Sequence, residues 1–94
     1  MFEIRFGDRE EIVLTGRLDA SQLGVAEAFF NDVKASATVD LAGLEYISSV
    51  GIGLLVSTQQ RLAGHGARLR LANAGSMIRE VFRFSGLDAN FEID

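Results

Sequence analysis

The chain opens on an alternation in which Phe2, Ile4 and Phe6 are interleaved with Glu3 and Arg5. A period of two predicts a strand with one face turned to a core. Gly7-Asp8 signals a turn, and Glu11-Ile12-Val13-Leu14-Thr15 predicts a second strand, so the pair forms a hairpin. After Gly16 the period lengthens. Leu23, Ala26, Phe30 and Val33 recur at three- and four-residue steps, the apolar stripe of a helix that Asp19 or Ser21 caps and that Ala35-Ser36 ends. Gly24 inside that helix costs about 1 kcal/mol relative to alanine, which points to close packing there. Ala37-Thr38-Val39-Asp40-Leu41 predicts a short third strand, and a helix between strands of this length favours a parallel, right-handed crossover.

The stretch Leu44-Glu45-Tyr46-Ile47-Ser48-Ser49-Val50-Gly51-Ile52-Gly53-Leu54-Leu55 runs from a strand end into two serines, then into an apolar helix reaching about Leu62. Gly64 and Gly66 bracket its last turn, where a left-handed backbone is needed. Arg68, Leu69, Arg70 and Leu71 alternate as a fourth strand. Ser76 is the expected cap of a third helix with its core stripe at Ile78, Val81 and Phe82, closed by Ser85-Gly86. Phe91 and Ile93 predict a last, short edge strand. The order β-β-α-β-α-β-α-β defines an α/β fold: a mixed sheet of about four to five strands with about three helices packed mainly on one face. No repeat, linker or low-complexity segment interrupts it, so residues 1–94 read as a single domain.

Composition narrows the function. Hydrophobic residues at 48% and charged residues at 23% are globular proportions and exclude a disordered chain. Thirteen acidic against nine basic side chains leave a net charge of -4, which argues against nucleic acid, whose phosphates need clustered Lys and Arg. With no cysteine there is no disulfide, thiolate metal site or Cys nucleophile. No apolar run approaches the roughly 20 residues of a membrane span, and the alternating N-terminus is not a signal peptide. The expectation is a cytoplasmic protein.

Candidate chemistry concentrates at Ser48 and Ser49. They sit where a strand meets a helix, and the amides of Val50, Gly51 and Ile52 there are expected to lack intrahelical partners. Such a helix end behaves as roughly +0.5 charge and favours an anion. A phosphoryl group on a serine at this place gains backbone hydrogen bonds without unfolding the domain. Gly51 and Gly53 leave the neighbouring surface open to a second protein. Serine at a helix cap is also common without any such role.

The order of elements, with Val39-Asp40-Leu41, Tyr46-Ile47-Ser48-Ser49-Val50-Gly51-Ile52-Gly53 and Phe82-Arg83-Phe84-Ser85-Gly86-Leu87, resembles the STAS domain family, which includes bacterial anti-sigma factor antagonists. Gly16-Arg17-Leu18-Asp19 adds to the likeness, which spans Met1 to about Ile93. The resemblance implies partner switching instead of catalysis. In the antagonists, the serine two positions before the motif glycine, here Ser49, accepts phosphate from a GHKL-type serine kinase that doubles as the anti-sigma factor, and a phosphatase resets it. Ser48, Val50, Gly51, Ile52 and Gly53 then form the phosphorylation loop and partner surface. Kinase-phosphorylated antagonists mostly carry Asp before the acceptor, where this chain has Ser48. Members also usually continue into a C-terminal helix, whereas this chain stops at Asp94, so part of a sheet face or edge is expected to be open. Two rival functions keep the fold: a STAS subunit regulating a membrane transporter such as a lipid ABC system, and a nucleotide- or small-anion-binding module.

Elsewhere the sequence offers little chemistry. No cofactor or metal is expected. His65, the single histidine, falls between Gly64 and Gly66 in an exposed loop, roughly 20 Å along the helix from Ser49, too far to serve it as a base. Glu10-Glu11 and Asp88 read as solvated surface, and the pairs Arg68/Arg70 and Arg79/Arg83 as surface charge or local salt bridges. Phe29, Phe30 and Phe82 are core candidates, and Phe84 falls off the core stripe as an exposed contact.

Overall fold

A computed structural model describes residues 1–87 and 91–93. Five strands form one sheet: β1 (Phe2–Phe6), β2 (Ile12–Leu18), β3 (Ala37–Ile47), β4 (Leu69–Ala72) and β5 (Glu92–Ile93). The helices are α1 (Leu23–Asn31), preceded by a single 3-10 turn at Ala20–Gln22, α2 (Ser49–Ala63) and α3 (Ser76–Phe84). Strand order follows chain order, β1-β2-β3-β4-β5. β1 pairs antiparallel with β2, and the remaining pairings are parallel. Successive right-handed crossovers that always step the same way put every helix on the same face.

That face is the core. Ile12 and Leu14 of β2, Val39 and Leu41 of β3, and Leu69 and Leu71 of β4 are buried at alternate positions, against Phe30 of α1, Leu55 and Leu62 of α2, and Ile78 and Phe82 of α3. The opposite face carries Thr15, Arg17, Thr38, Asp40 and Arg70, half-buried or exposed. The mixed sheet, the element order and the one-sided helices are those the sequence predicts.

β3 runs six residues past the predicted Leu41, for a specific reason. Its register with β2 shifts twice, between Val13 and Thr15 and between Gly16 and Arg17, so β3 holds two extra residues. Buried positions therefore fall at Val39, Leu41, Leu44 and Ile47, and strict alternation is lost at the bulges. Gly43 is required at one of them, since a Cβ there would lie 2.7 Å from the Thr15 methyl. β2 likewise continues through Gly16 to Leu18; Gly16 has φ +85, and a Cβ on it would strike the Met1 carbonyl.

Helix ends depart from the sequence expectation in four places. α1 stops at Asn31, before Ala35-Ser36, and Val33 is buried in the turn beyond it. Arg61 of α2 holds the turn past that end, its guanidinium donating to the carbonyls of Phe30 at 2.8 Å and Val33 at 2.9 Å. Gly24 is exposed with nothing within 4 Å of a Cβ, so the close packing expected there is absent. Ser76 is the first residue of α3 and makes no cap; the capping position is Gly75. At the end of α2, Gly64 keeps right-handed geometry (φ -65) and only Gly66 is left-handed (φ +75).

Asp19, not Ser21, makes the cap, and it caps the 3-10 turn; α1 itself has Gln22 at its N-cap, with no side-chain hydrogen bond. The Asp19 carboxylate accepts from the Ser21 amide at 2.9 Å and the Ser21 hydroxyl at 2.6 Å, while Gln22 Oε1 accepts from the Asp19 amide at 3.0 Å. The Ser21 hydroxyl, followed by its amide, holds the Asp19 carboxyl below the ordinary range.

Phe82 is fully buried and Phe30 with it, while Phe29 is half-buried beside Phe6. Phe84 is 82% exposed, as its place off the stripe predicts. Arg68 and Arg70 both approach Glu92, at 3.8 and 3.7 Å, and Arg83 pairs with Glu80 one turn away. Asp88 lies outside the described residues.

Candidate functional site

Because the parallel strands share a direction, their crossover helices all begin at the strands' C-terminal end. Ser48 stands there, directly after β3. Its amide donates to the Leu18 carbonyl at 2.9 Å, which continues the β2–β3 ladder to the helix mouth and sets Asp19 beside it in the chain. Ser48 is the N-cap of α2, in extended geometry, and its hydroxyl accepts from the Gly51 amide at 3.3 Å. Its carbonyl accepts from the Ile52 amide at 2.9 Å. The sequence reading left Val50, Gly51 and Ile52 without partners; the last two are in fact engaged, and the amides without intrahelical partners are those of Ser49 and Val50.

Ser49 is the first residue of α2 and is exposed. Val50 beside it is 40% exposed, whereas Ile52 is buried. The two glycines divide. Gly53 is exposed, with nothing within 4 Å of a Cβ, and leaves the surface open as expected. Gly51 is buried and faces inward: a Cβ there would lie 2.9 Å from both Ile47 Cγ1 and Leu18 Cγ. It contributes by seating the helix against the ends of β2 and β3, not by opening the surface.

The two glycines therefore respond oppositely to alanine. Gly53→Ala gains helix propensity at no steric cost and raises stability by about 0.5–1 kcal/mol. Gly51→Ala gains the same propensity but forces branched carbons apart, and a net loss of about 1–2 kcal/mol is expected. Urea unfolding followed by circular dichroism reads both signs. A stabilised Gly51→Ala variant would contradict the packing described.

Further apolar side chains ring this end of the sheet. Val25, third residue of α1, is 64% exposed, and Met77, second residue of α3, is 69% exposed. With Val50 they put one uncovered apolar side chain in the first turn of each helix. Tyr46 of β3 is partly exposed two residues before Ser48, with the Arg17 guanidinium over its ring at 4.3 Å. Sequence reading singled out Val50 alone; Val25 and Met77 were legible only as apolar residues off their helices' core stripes.

Among the described residues no histidine or acidic cluster is placed to act on Ser49. His65 is exposed past the far end of α2, its Nδ1 3.0 Å from the Arg61 carbonyl. Among the described residues no group of three or more His, Cys, Asp or Glu side chains could hold a metal ion. A broad groove lies toward the opposite end of the parallel strands, lined by residues that include Arg9, Glu11, Lys34, Asp40, Arg68 and Arg70. It is open and mixes both signs of charge, so its size alone does not make it the site. Among the described residues no helix is long and apolar enough to cross a membrane.

A family model described as "Mlab, STAS domain" matches residues 4–93. The chain belongs to the STAS domain family. An anti-sigma F factor antagonist of Lysinibacillus sphaericus is 30% identical to this STAS domain over 93 residues, spanning 92% of this chain and 80% of that protein. Among solved structures, the anti-sigma factor antagonist SpoIIAA in its unphosphorylated form aligns with a TM-score of 0.75 at 25% identity, covering 100% of this chain and 88% of that one. A putative anti-sigma factor antagonist of Thermotoga maritima aligns with a TM-score of 0.79 at 18% identity, covering 99% of this chain and 85% of that one, and at that identity supports the fold alone.

Proposed function

We propose that this STAS domain is an anti-sigma factor antagonist: a protein-binding switch that docks a GHKL-type kinase/anti-sigma factor at the α2 mouth and is reset by a phosphatase after phosphorylation of Ser49. The observation that carries the reading is the position of Ser49, an exposed hydroxyl on the first residue of α2, beside amides that the helix leaves free. Phosphate at a helix N-terminus meets a favourable dipole and unused N–H groups, so the fold tolerates it. An incoming partner meets the same group as about -1.5 to -2 added charge on a chain already at -4. The exposed Val25, Val50 and Met77 supply the apolar part of the docking surface, and Gly53 permits close approach. Antagonist relatives support this assignment by sequence and fold.

Ser48 takes the N-cap role with its own hydroxyl, the role an Asp would fill there equally well. The cap is therefore kept without the carboxylate that mostly precedes the acceptor in kinase-phosphorylated antagonists. This favours, as a second reading, a subunit that regulates a membrane transporter through the same surface with no phosphate on Ser49.

Incubation with ATP and a GHKL-type kinase encoded beside the gene separates the two readings. Phosphorylation predicts the mass gain of one phosphate, located on Ser49 by fragmentation and absent in Ser49→Ala. A stable complex with the kinase and no phosphate would remove the switch, and a lack of any complex would remove the antagonist reading.

A further inference from the structure

We propose that β1 is the seam of a two-fold symmetric dimer, in which a second copy of this chain adds its own β1 antiparallel to the first. β1 is the outer strand of the sheet, and among the described residues its far side pairs with no other strand. Which backbone groups point outward follows from the β1–β2 register, in which paired residue numbers sum to 18. The Arg17 amide donates to the Met1 carbonyl at 3.1 Å and the Gly7 amide to the Glu11 carbonyl at 2.7 Å, so odd-numbered residues carry the hydrogen bonds to β2. Phe2, Ile4 and Phe6 therefore turn their N–H and C=O groups away from the sheet.

The sequence of that strand, Phe-Glu-Ile-Arg-Phe, is a palindrome in polarity with opposite charges about its centre. A two-fold axis through Ile4 places Ile4 opposite itself, Phe2 opposite Phe6 and Glu3 opposite Arg5. The three outward residues become the hydrogen-bonded pairs, each exchanging N–H···O=C in both directions. Glu3 and Arg5 fall on the non-hydrogen-bonded pairs, where side chains across an antiparallel ladder lie closest. Charges on an edge strand ordinarily deter pairing. Here their signs make the two-fold pairing attractive: both side chains are solvent-exposed, and the weak pair they form along their own strand, Arg5 Nε 3.7 Å from Glu3, can be shared with or exchanged for the cross-strand pairs.

The helix side of the seam is apolar. Phe6 is 59% exposed although its ring touches Phe29 of α1 at 4.9 Å, and Val25 lies one turn before Phe29 on the same helix. Pairing covers Phe6 with the partner's Phe2 and brings the two α1 helices alongside. A seam of one short strand and a few apolar side chains gives a weak dimer, with a dissociation constant on the order of 10–100 µM. The interface is isologous and closes on itself, so growth stops at two chains.

Sedimentation equilibrium on the full chain up to about 0.5 mM tests this, a range set by the weak affinity expected of a small interface. The expected result is a mass rising from one chain to two. Glu3→Arg and Arg5→Glu each put like charges opposite at both symmetry-related contacts and weaken association roughly tenfold or more. The double exchange, Glu3→Arg with Arg5→Glu, restores it to within about threefold, because the pairs are re-formed with signs swapped. Ile4→Pro removes an outward N–H without touching the β1–β2 ladder and abolishes the dimer; if that variant is unfolded by circular dichroism, the exposed charge series decides. A chain that stays single throughout, or a dimer indifferent to the charge reversals or not restored by the exchange, overturns the proposal.

Discussion

Replacing Ser49 with Asp is expected to lower affinity for the proposed GHKL-type kinase by about a hundredfold, or about 2.7 kcal/mol, while Ser49→Ala is expected to stay within about threefold of the parent chain. The asymmetry follows from the α2 mouth. Alanine removes a hydroxyl that is exposed and makes none of the helix's capping bonds, which come from Ser48. A carboxylate at the first helical position is favourable to the helix by about 0.3–1 kcal/mol, so Ser49→Asp keeps or raises the unfolding midpoint. The same carboxylate lies next to Val50 on the proposed docking surface, whose apolar members would lose water against the partner, and an unpaired charge there is costly to desolvate. Titration calorimetry gives the affinities and thermal unfolding gives the stability. Equal affinities for both variants would remove Ser49 from the switch, and a loss of affinity accompanied by a lower midpoint would assign the effect to folding.

Phe82→Ala has the largest expected effect on stability, a loss of about 3–5 kcal/mol. Helix α3 is nine residues long, too short to persist without tertiary packing. Ile78 and Phe82 are its buried residues, and the Phe82 ring meets Phe91 edge-on at 5.6 Å, just before β5. Truncation at Phe82 thus empties the site that holds both α3 and the last strand. For a domain whose whole stability lies in the range of about 5–15 kcal/mol, that is a large fraction. The midpoint should fall by more than about 10 °C. Phe84→Ser, two residues on and solvent-facing, changes stability by no more than about 0.5 kcal/mol. Urea unfolding of the two variants side by side gives the contrast; a Phe82→Ala loss below about 1.5 kcal/mol would show that the core closes over the vacancy.

The fold was legible wherever one physical signal dominated. Phe2, Ile4 and Phe6 alternate because β1 has one face on the core, and Ile78, Val81 and Phe82 keep a helical spacing because α3 has one stripe on it. The continuity of β3 between the predicted strand at Ala37–Leu41 and the strand end before Ser48 was hidden because its bulges change the spacing of Leu41, Leu44 and Ile47 from two to three, a helix-like interval inside a strand. The end of α1 was hidden for a different reason: Arg61, thirty residues downstream, holds the turn past it and cannot be assigned there from local pattern. At the candidate site, the serine pair at a strand-to-helix junction was visible in the sequence. The split between Gly51 and Gly53 was not, since two glycines one residue apart look alike until Leu18 and Ile47 are seen packed against one of them.

Strand order that repeats chain order also shapes how the molecule comes into being. Every strand pairs with the one made just before it, β2 on β1 through β5 on β4, so no segment waits for a mate synthesised much later. Each parallel pairing closes across a single crossover helix, and the entropy lost at each step grows only slowly with the length of that crossover. On the ribosome the sheet can therefore be laid down strand by strand as the polypeptide emerges, each crossover helix roofing the pair that precedes it, which keeps the time that raw apolar sheet stands open to aggregation brief.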